Sequence, residues 1–152
     1  MSETASQASV ENPARPLIEF GWIVADAISA DERRAVQAAR SEVSEWLAEQ
    51  FPEFVWQLPL IDKPSMPSGE QAEPVELLFA GVHERDIRHW DFVLVITDAD
   101  LVSYYKPYAL GVPSHGLAAA VLSLSRLDIS GDNSRVQRLK AAVLHLFGDI
   151  NN

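Results

Sequence analysis

Two side chains near the carboxyl end of the chain combine metal-ligand chemistry with a suggestive spacing. His145 and Asp149 are four residues apart, so on a helix they lie on one face, one turn from each other. Imidazole nitrogen and carboxylate oxygen both bind zinc, but two ligands hold the ion only with help from elsewhere. His115 is a conceivable third ligand, although its spacing specifies nothing. The structural alternative is a histidine that suits the negative end of a helix, and an aspartate just after Gly148 in a helix-terminating turn.

Composition excludes several other kinds of site. The 152 residues contain no cysteine, which removes disulfides, thiolate zinc sites and thiol catalysis. The formal net charge of −10 argues against nucleic acid and anionic membranes as partners, because both reward a basic surface. The phosphate-cradling glycine motifs and the G-x-S-x-G nucleophile elbow are absent from the sequence.

Asp98 and Asp100 form a second candidate pair. They follow a strongly apolar run, and carboxylates at the carboxyl end of a strand are common in active sites. Such residues also cap turns by accepting hydrogen bonds from nearby backbone amides. The turn interpretation is favoured, because no third group supports a pair of catalytic carboxylates.

The ends of the chain bear on location. Residues 1–15 are polar and lack the apolar core of a secretory signal, so they are predicted to be a disordered tail before a single domain at 16–152. No window approaches the ~20 apolar residues that span a bilayer. We therefore expect a cytoplasmic protein with no membrane segment in this chain.

Apolar patterning predicts a mixed α/β domain. A capping box at Ser29 and Glu32 introduces a helix over 31–51, and Ser134 is the predicted N-cap of a second helix over 135–147. The near-continuous apolar run at 91–97 predicts a strand buried on both faces. Further strands are predicted at 16–24, 54–60, 75–82 and 116–124, with a loop at 62–73 and irregular structure at 98–113. A helix between sequential strands implies a parallel pair, so the fold class is α/β, with a mixed, mainly parallel sheet and two long helices packed on it.

The segment 91–127 resembles the stretch before the zinc helix of archaemetzincin-like zinc metalloproteases. The likeness rests on the strand ending Ile-Thr-Asp at 96–98, the loop reaching Gly116, and the strand closing in LSLSRL at 122–127. The order of elements also resembles the upper subdomain of a zincin, over roughly residues 16–149. This resemblance implies a helix carrying H-E-x-x-H, with two histidine ligands to zinc and a glutamate as general base.

The chain departs from that motif where the resemblance aligns it. His145 fits the first ligand, Leu146 stands at the glutamate, and Asp149 stands at the second histidine. Leucine cannot accept a proton, so the resemblance implies a degenerate, non-catalytic domain with no cofactor. In metzincins the strand before the active-site helix pairs with substrate, which implies peptide binding here at Gly116, Ala118, Ala119 and Val121.

The leading interpretation is therefore a module that binds a protein or peptide. One alternative is a zinc-dependent peptidase or hydrolase with non-standard ligands drawn from His115, His145 and Asp149. Another is a soluble N-terminal segment of a longer protein. A poorly protected edge strand would also favour a homodimer.

Overall fold

A sheet with helices on both faces forms the centre of the molecule. The structure, a computed structural model, describes residues 15–25, 28–63, 71–101, 111–124, 127 and 132–151. Its helices are α1 (Ala30–Gln50), α2 (Pro74–Arg88) and α3 (Asp132–Ile150). Its strands are β1 (Leu17–Val24), β2 (Val55–Gln57), β3 (Leu60–Asp62), β4 (Gln71–Ala72), β5 (Phe92–Thr97), β6 (Asp100–Leu101), β7 (Gly111–Ser114) and β8 (Ala119–Ser123). The predicted tail lies outside the described residues apart from Arg15.

The main sheet is parallel except at one edge. Its order is β2-β1-β5-β8-β7, and β3 pairs with β1 beyond the end of β2. Strands β1, β5 and β8 run parallel through the middle, whereas β7 pairs antiparallel with β8. Strands β4 and β6 form a separate two-stranded sheet. The mixed, mainly parallel sheet confirms the predicted fold class.

Alternating side chains of the central strands contribute to two hydrophobic cores, one on each face of the sheet. On one face Trp22, Leu94 and Leu122 pack against α1 and α3. On the other, Val95 and Val121 join residues of α2. Because a strand directs successive side chains to opposite faces, a strand covered on both sides must be apolar throughout. That is why the continuous run at 91–97 correctly predicted a central strand.

Local signals explain where α1 begins. The Ser29 hydroxyl accepts a hydrogen bond from the Glu32 amide at 3.0 Å, and the Ser29 amide donates to the Glu32 carboxylate at 3.1 Å. This reciprocal pair satisfies amides that would otherwise have no partner at the helix start. The predicted capping box and helix are both confirmed.

The strand predicted at 75–82 is wrong, because this segment lies in α2. Pro74 starts the helix, where its fixed φ and missing N–H are tolerated. Leu77, Gly81 and Glu84 face inward at helical spacing, while Val75 and Phe79 are exposed. The apolar residues on the solvent side completed a run that resembled a buried strand. The described residues therefore contain three helices, one more than predicted.

Several smaller predictions also need correction. The strand predicted at 54–60 is split into β2 and β3, and the segment predicted as irregular contains β7. Helix α3 begins at Asp132, so Ser134 lies within it and is not the N-cap. At its other end α3 continues through Gly148 to Ile150, so Asp149 is helical and does not sit in a terminating turn.

Candidate functional site

The last two turns of α3 present three different surfaces. Leu146 is buried beside the edge strand, His145 is exposed to solvent, and Gly148 borders an apolar recess. The core positions Leu139, Val143 and Ile150 hold the helix against the sheet. Because residues advance by about 100° around a helix, neighbours in sequence reach surfaces with different chemistry.

Leu146 packs directly beneath β7. It is 6% exposed and belongs to the same core cluster as Phe147. Its Cδ1 atom lies 2.9 Å from the place that a Cβ on Gly111 would occupy. The edge strand can approach α3 this closely only because residue 111 has no side chain. The position that the resemblance aligns with a catalytic glutamate is therefore a packing position.

His145 and Asp149 meet as their spacing predicts. Their Nε2 and Oδ2 atoms are 3.3 Å apart, and the two side chains are 79% and 41% exposed. A pair this exposed contributes little to stability, because water and salt screen it. The two groups can serve as a metal-ligand pair or as each other's partner.

The third predicted ligand, His115, contacts the end of α3 and not the other two predicted ligands. The Nδ1 atom of His115 lies 2.6 Å from the carbonyl oxygen of Ile150, at the end of α3. As a donor it satisfies a carbonyl that the helix leaves unpaired. Among the residues the structure describes, no three His, Cys, Asp or Glu side chains come together to hold a metal ion. The described residues therefore do not fit a closed zinc site, which needs four ligands.

The predicted peptide-binding strand lies inside the sheet. Strand β8 pairs with β5 on one side and β7 on the other, and Ala119 and Val121 are fully buried. Ala118 and Gly116 lie in the turn before it. Both edges of β8 are occupied, so strand addition there has to be corrected: an added strand would pair with β7.

The register shows what β7 offers along its outer edge. The Val93 N–H donates to the Ala118 carbonyl at 3.2 Å. The backbone polar groups of a strand alternate in direction, so those of Ala120 also point toward β5, while those of Ala119 and Val121 point toward β7. The backbone polar groups of their partners, Ser114 and Val112, therefore point toward β8. The outer edge therefore presents both polar groups of Gly111 and the carbonyl of Pro113. Proline here removes one donor from the edge without breaking the ladder.

An apolar recess, the aromatic pocket, was not predicted from the sequence. Its volume is about 420 Å³, and it is lined by Ile18, Trp46, Phe51, Phe54, Trp56, Phe92, Leu144, Phe147, Gly148 and Asn151. Several rings form a connected set around Trp56, with centroids 5.9 Å from Phe54, 6.1 Å from Phe51 and 6.0 Å from Phe147. These residues come from well-separated segments, so no sequence spacing could have revealed the pocket.

A buried carboxylate anchors α2. Glu84 is 6% exposed, and its oxygens lie 2.9 Å from Arg88 Nε and 3.0 Å from Lys63 Nζ. The hydrogen bonds from Arg88 and then Lys63 lower the pKa of Glu84 against the opposing effect of burial. Lys63 is itself tied to β1, through a 2.9 Å bond from its amide to the Val24 carbonyl. This cluster is structural, since its charges satisfy one another.

The candidate residue Asp98 lies directly after β5, in a bend of the backbone. The Thr97 hydroxyl accepts from the Ala99 amide at 3.0 Å, which makes 97–99 a side-chain-stabilised turn beneath Asp98. The Ser123 hydroxyl donates to the Ala99 carbonyl at 2.7 Å and fixes that turn to β8. None of the described helices is long and apolar enough to cross a membrane.

Comparisons with solved structures identify the fold. The archaemetzincin from Methanopyrus kandleri superposes with a TM-score of 0.64 at 19% identity, over 88% of this chain and 72% of that one. The archaemetzincin from Archaeoglobus fulgidus gives 0.58 at 17%, over 88% and 77%. A zinc-dependent peptidase from Methanocorpusculum labreanum strain Z gives 0.58 at 19%, over 88% and 80%. The chain therefore has an archaemetzincin-like fold, which confirms the fold implied by the resemblance.

Comparisons based on sequence add no identification. No known protein-family profile matches the chain, and no curated protein matches it. At these low identities the structural similarity establishes the fold and not the activity.

Proposed function

We propose that this chain is a non-catalytic archaemetzincin-like domain that binds an extended peptide along β7. The observation that carries the first half is the burial of Leu146 beneath Gly111. A leucine has no group that can take a proton from water, and losing a positioned general base typically costs ~10²–10⁴ in rate. The side chain at this place instead stabilises the contact between helix and edge strand.

The ligand positions support the same proposal. His145 faces Asp149 at 3.3 Å, and His115 is directed to the Ile150 carbonyl. A catalytic zinc site uses three protein ligands and leaves one position for water. Of the three residues predicted as ligands, two pair with each other and the third is used elsewhere.

The peptide-binding half rests on the outer edge of β7, which pairs with no other strand among the residues that the structure describes. An extended segment aligned with this strand would donate N–H groups to the carbonyls of Gly111 and Pro113 and accept from the Gly111 amide. Main-chain bonds of this kind favour an extended backbone with little sequence preference, so specificity would come from the side chains on either side. The proposed ligand is therefore a linear peptide segment.

Zinc retention tests the non-catalytic half. The purified chain is soaked in zinc and desalted, and its metal content is measured by elemental mass spectrometry beside His145→Ala and Asp149→Ala. We expect no stoichiometric metal that depends on these residues, and no zinc-dependent cleavage of casein. About one zinc per chain, lost in either variant, would overturn the proposal.

That outcome would favour a second candidate, a zinc-dependent hydrolase with non-standard ligands. Two observations support this alternative: the fold resembles that of a zinc-dependent peptidase, and the His145 imidazole is 79% exposed and open to a metal. Its remaining ligands would lie outside the described residues.

Backbone methylation of a bound peptide tests the peptide half. A binder is first selected from a library of random linear peptides, and each of its amides is then N-methylated in turn. Because a strand alternates its N–H groups, methylation at every second position should abolish binding, while methylation at the intervening positions should leave it unchanged. The intervening positions are the matched control. Absence of any selectable binder, or binding insensitive to all methylations, would contradict strand addition.

A further inference from the structure

The aromatic pocket has the size and shape of a small-molecule site. Its volume of about 420 Å³ falls in the ~300–1,000 Å³ range of ligand pockets. It lies on the α1 side of α3, reached through Leu144 and Gly148, whereas Leu146 turns toward β7. The pocket is therefore separate from the edge strand where a peptide is proposed to bind.

Two polar side chains of the pocket wall already donate hydrogen bonds to backbone carbonyls. The indole Nε1 of Trp56 donates to the Phe51 carbonyl at 3.1 Å, and the Asn151 side-chain amide donates to the Phe147 carbonyl at 2.8 Å. A ligand inside the pocket would thus meet ring faces and edges, with few hydrogen-bonding groups to satisfy. Such a lining selects an apolar body and gives no compensation to a buried neutral polar group.

The electrostatic surroundings select the sign of a charged ligand. Helices α1 and α3 both end at the pocket, and neither has a basic residue in its last turn. The carboxyl end of a helix carries a partial negative charge. Two exposed carboxylates, Glu45 and Glu53, are adjacent in sequence to the lining residues Trp46 and Phe54, and the exposed Glu49 lies two residues before Phe51. One opposing cation, Arg15, lies at the same end, where its Nη1 donates to the Pro52 carbonyl at 2.8 Å. These features disfavour an anion and favour a cation.

Gly148 gives an independent indication that the pocket is kept open. A Cβ at this position would meet nothing within 4 Å, so packing does not require glycine there. Its backbone is helical and does not require a positive φ either. Glycine is the poorest helix former apart from proline, so almost any other residue at position 148 would make α3 more stable. The missing side chain leaves the pocket wall open at the end of the helix.

We propose that the aromatic pocket binds a small organic cation with an apolar body, such as a quaternary ammonium compound. Aromatic rings attract cations through the negative charge of their faces, and tryptophan is the strongest of them. Trp46 and Trp56 line the pocket and are the rings expected to contact the cation, the two helix ends supply a negative field, and the remaining rings cover the apolar part of the ligand. This proposal does not depend on the proposed peptide binding.

Titration with matched probes tests the charge preference. Benzyltrimethylammonium, benzyl alcohol and benzenesulfonate share a phenyl ring and differ in charge. Binding to the full chain is followed by tryptophan fluorescence and by ligand-observed NMR. We expect the cation to bind about tenfold more tightly than the alcohol and the sulfonate not to bind, with weakening at high salt. Equal affinities, a preference for the anion, or no saturable binding would overturn the proposal.

A side chain added at Gly148 tests the location. Gly148→Leu places four carbons at the pocket without a clash at Cβ, and it should weaken binding of benzyltrimethylammonium at least about tenfold. Ala141→Leu is the control, because Ala141 is exposed on the same helix and is not a lining residue. Leucine is a good helix former at both positions, so circular dichroism should show both variants folded. Equal effects of the two substitutions would place the probe elsewhere.

Charge reversal separates a cation site from a simple apolar recess. Glu49→Lys, two residues before the lining residue Phe51, should weaken binding of the cation about threefold and leave binding of benzyl alcohol unaffected. Glu76→Lys makes the same change in net charge on α2, across the sheet, and should change the affinity for neither probe.

Sedimentation velocity of the wild type and of each variant tests whether a second copy of the chain occupies the pocket instead. If the wild type were a dimer and Gly148→Leu a monomer, the pocket would be a contact between copies and the proposal would be wrong.

Discussion

Leu146 of α3 supports Gly111 of β7 from below, with Cδ1 2.9 Å from the position of an added Cβ. The backbone oxygen of Val121 lies equally close to that position, so Gly111 is enclosed by both the helix and the neighbouring strand. The edge strand is thus held at a distance that only glycine permits. The same contact occupies the place where the family resemblance expects a catalytic carboxylate.

Replacing Gly111 with alanine should therefore destabilise the fold. A Cβ between Leu146 and the Val121 carbonyl forces a shift of backbone as well as side chain, which typically costs about 1–3 kcal/mol. Gly116→Ala is the matched control, because its Cβ would meet nothing within 4 Å, and it should change stability by less than about 0.5 kcal/mol. Urea unfolding of both variants measures the difference. Equal stabilities would show that β7 is free to move away from α3.

The cluster around Glu84 should make stability depend on pH. Hydrogen bonds from Arg88 and Lys63 hold its pKa below the ordinary value of 4.5. A carboxyl whose pKa is lower in the folded than in the unfolded protein stabilises the fold fully above the unfolded value. That contribution is lost as the pH falls through the folded value.

Glu84→Gln should cost about 1–2 kcal/mol at pH 7, a modest amount because both cationic partners reach solvent. The difference between wild type and variant should narrow below pH 4.5 and disappear once Glu84 is protonated. Urea unfolding at pH 7, 5, 4 and 3 measures it, with Glu76→Gln on the same helix as the control for loss of an exposed acid. A difference that stays constant down to pH 3 would argue against the ion pairs as the source.

The parts of the fold that the sequence predicts correctly are those where local and tertiary demands coincide. Ser29 and Glu32 satisfy each other's backbone, so the start of α1 needs no distant partner. The run at 91–97 is apolar on both faces because both are covered. The segment at 75–82 was predicted wrongly as a strand, because Val75 and Phe79 are apolar although they are exposed. Their presence hides the helical spacing of the buried residues.

In the candidate site, too, contacts within one helix could be predicted from the sequence, and contacts between distant segments could not. The contact between His145 and Asp149 follows from one turn of helix, so their spacing predicts it. The direction of His115 does not follow, because the end of α3 meets the β7–β8 turn only in the folded chain. The pocket around Trp56 joins rings from two helices, two strands and the segment between α1 and β2. Only sheet order and helix packing bring those segments together.

The capping box can be tested with two serines in one helix. Ser29→Ala removes the acceptor of the Glu32 amide and should destabilise the protein by about 1 kcal/mol. Ser41→Ala, at an exposed position within α1, should instead stabilise it by a few tenths of a kcal/mol, because alanine is the better helix former. Thermal unfolding at pH 7 should move the two midpoints in opposite directions. A stabilising Ser29→Ala would mean that α1 starts elsewhere in solution.

The end of α2 can be tested in the same way, because glycine substitutions at His89 and His83 should change the free energy of unfolding in opposite directions. His89 caps the helix in the left-handed region, at φ 62° and ψ 38°, where a Cβ is unfavourable and glycine is preferred. His89→Gly should therefore raise the free energy of unfolding by about 0.5–1 kcal/mol. His83→Gly, at an exposed position in the body of the same helix, should lower it by a similar amount. Chemical denaturation of both variants at pH 8 measures the two changes. If both substitutions destabilise equally, His89 does not adopt the left-handed conformation, and α2 does not end at Arg88.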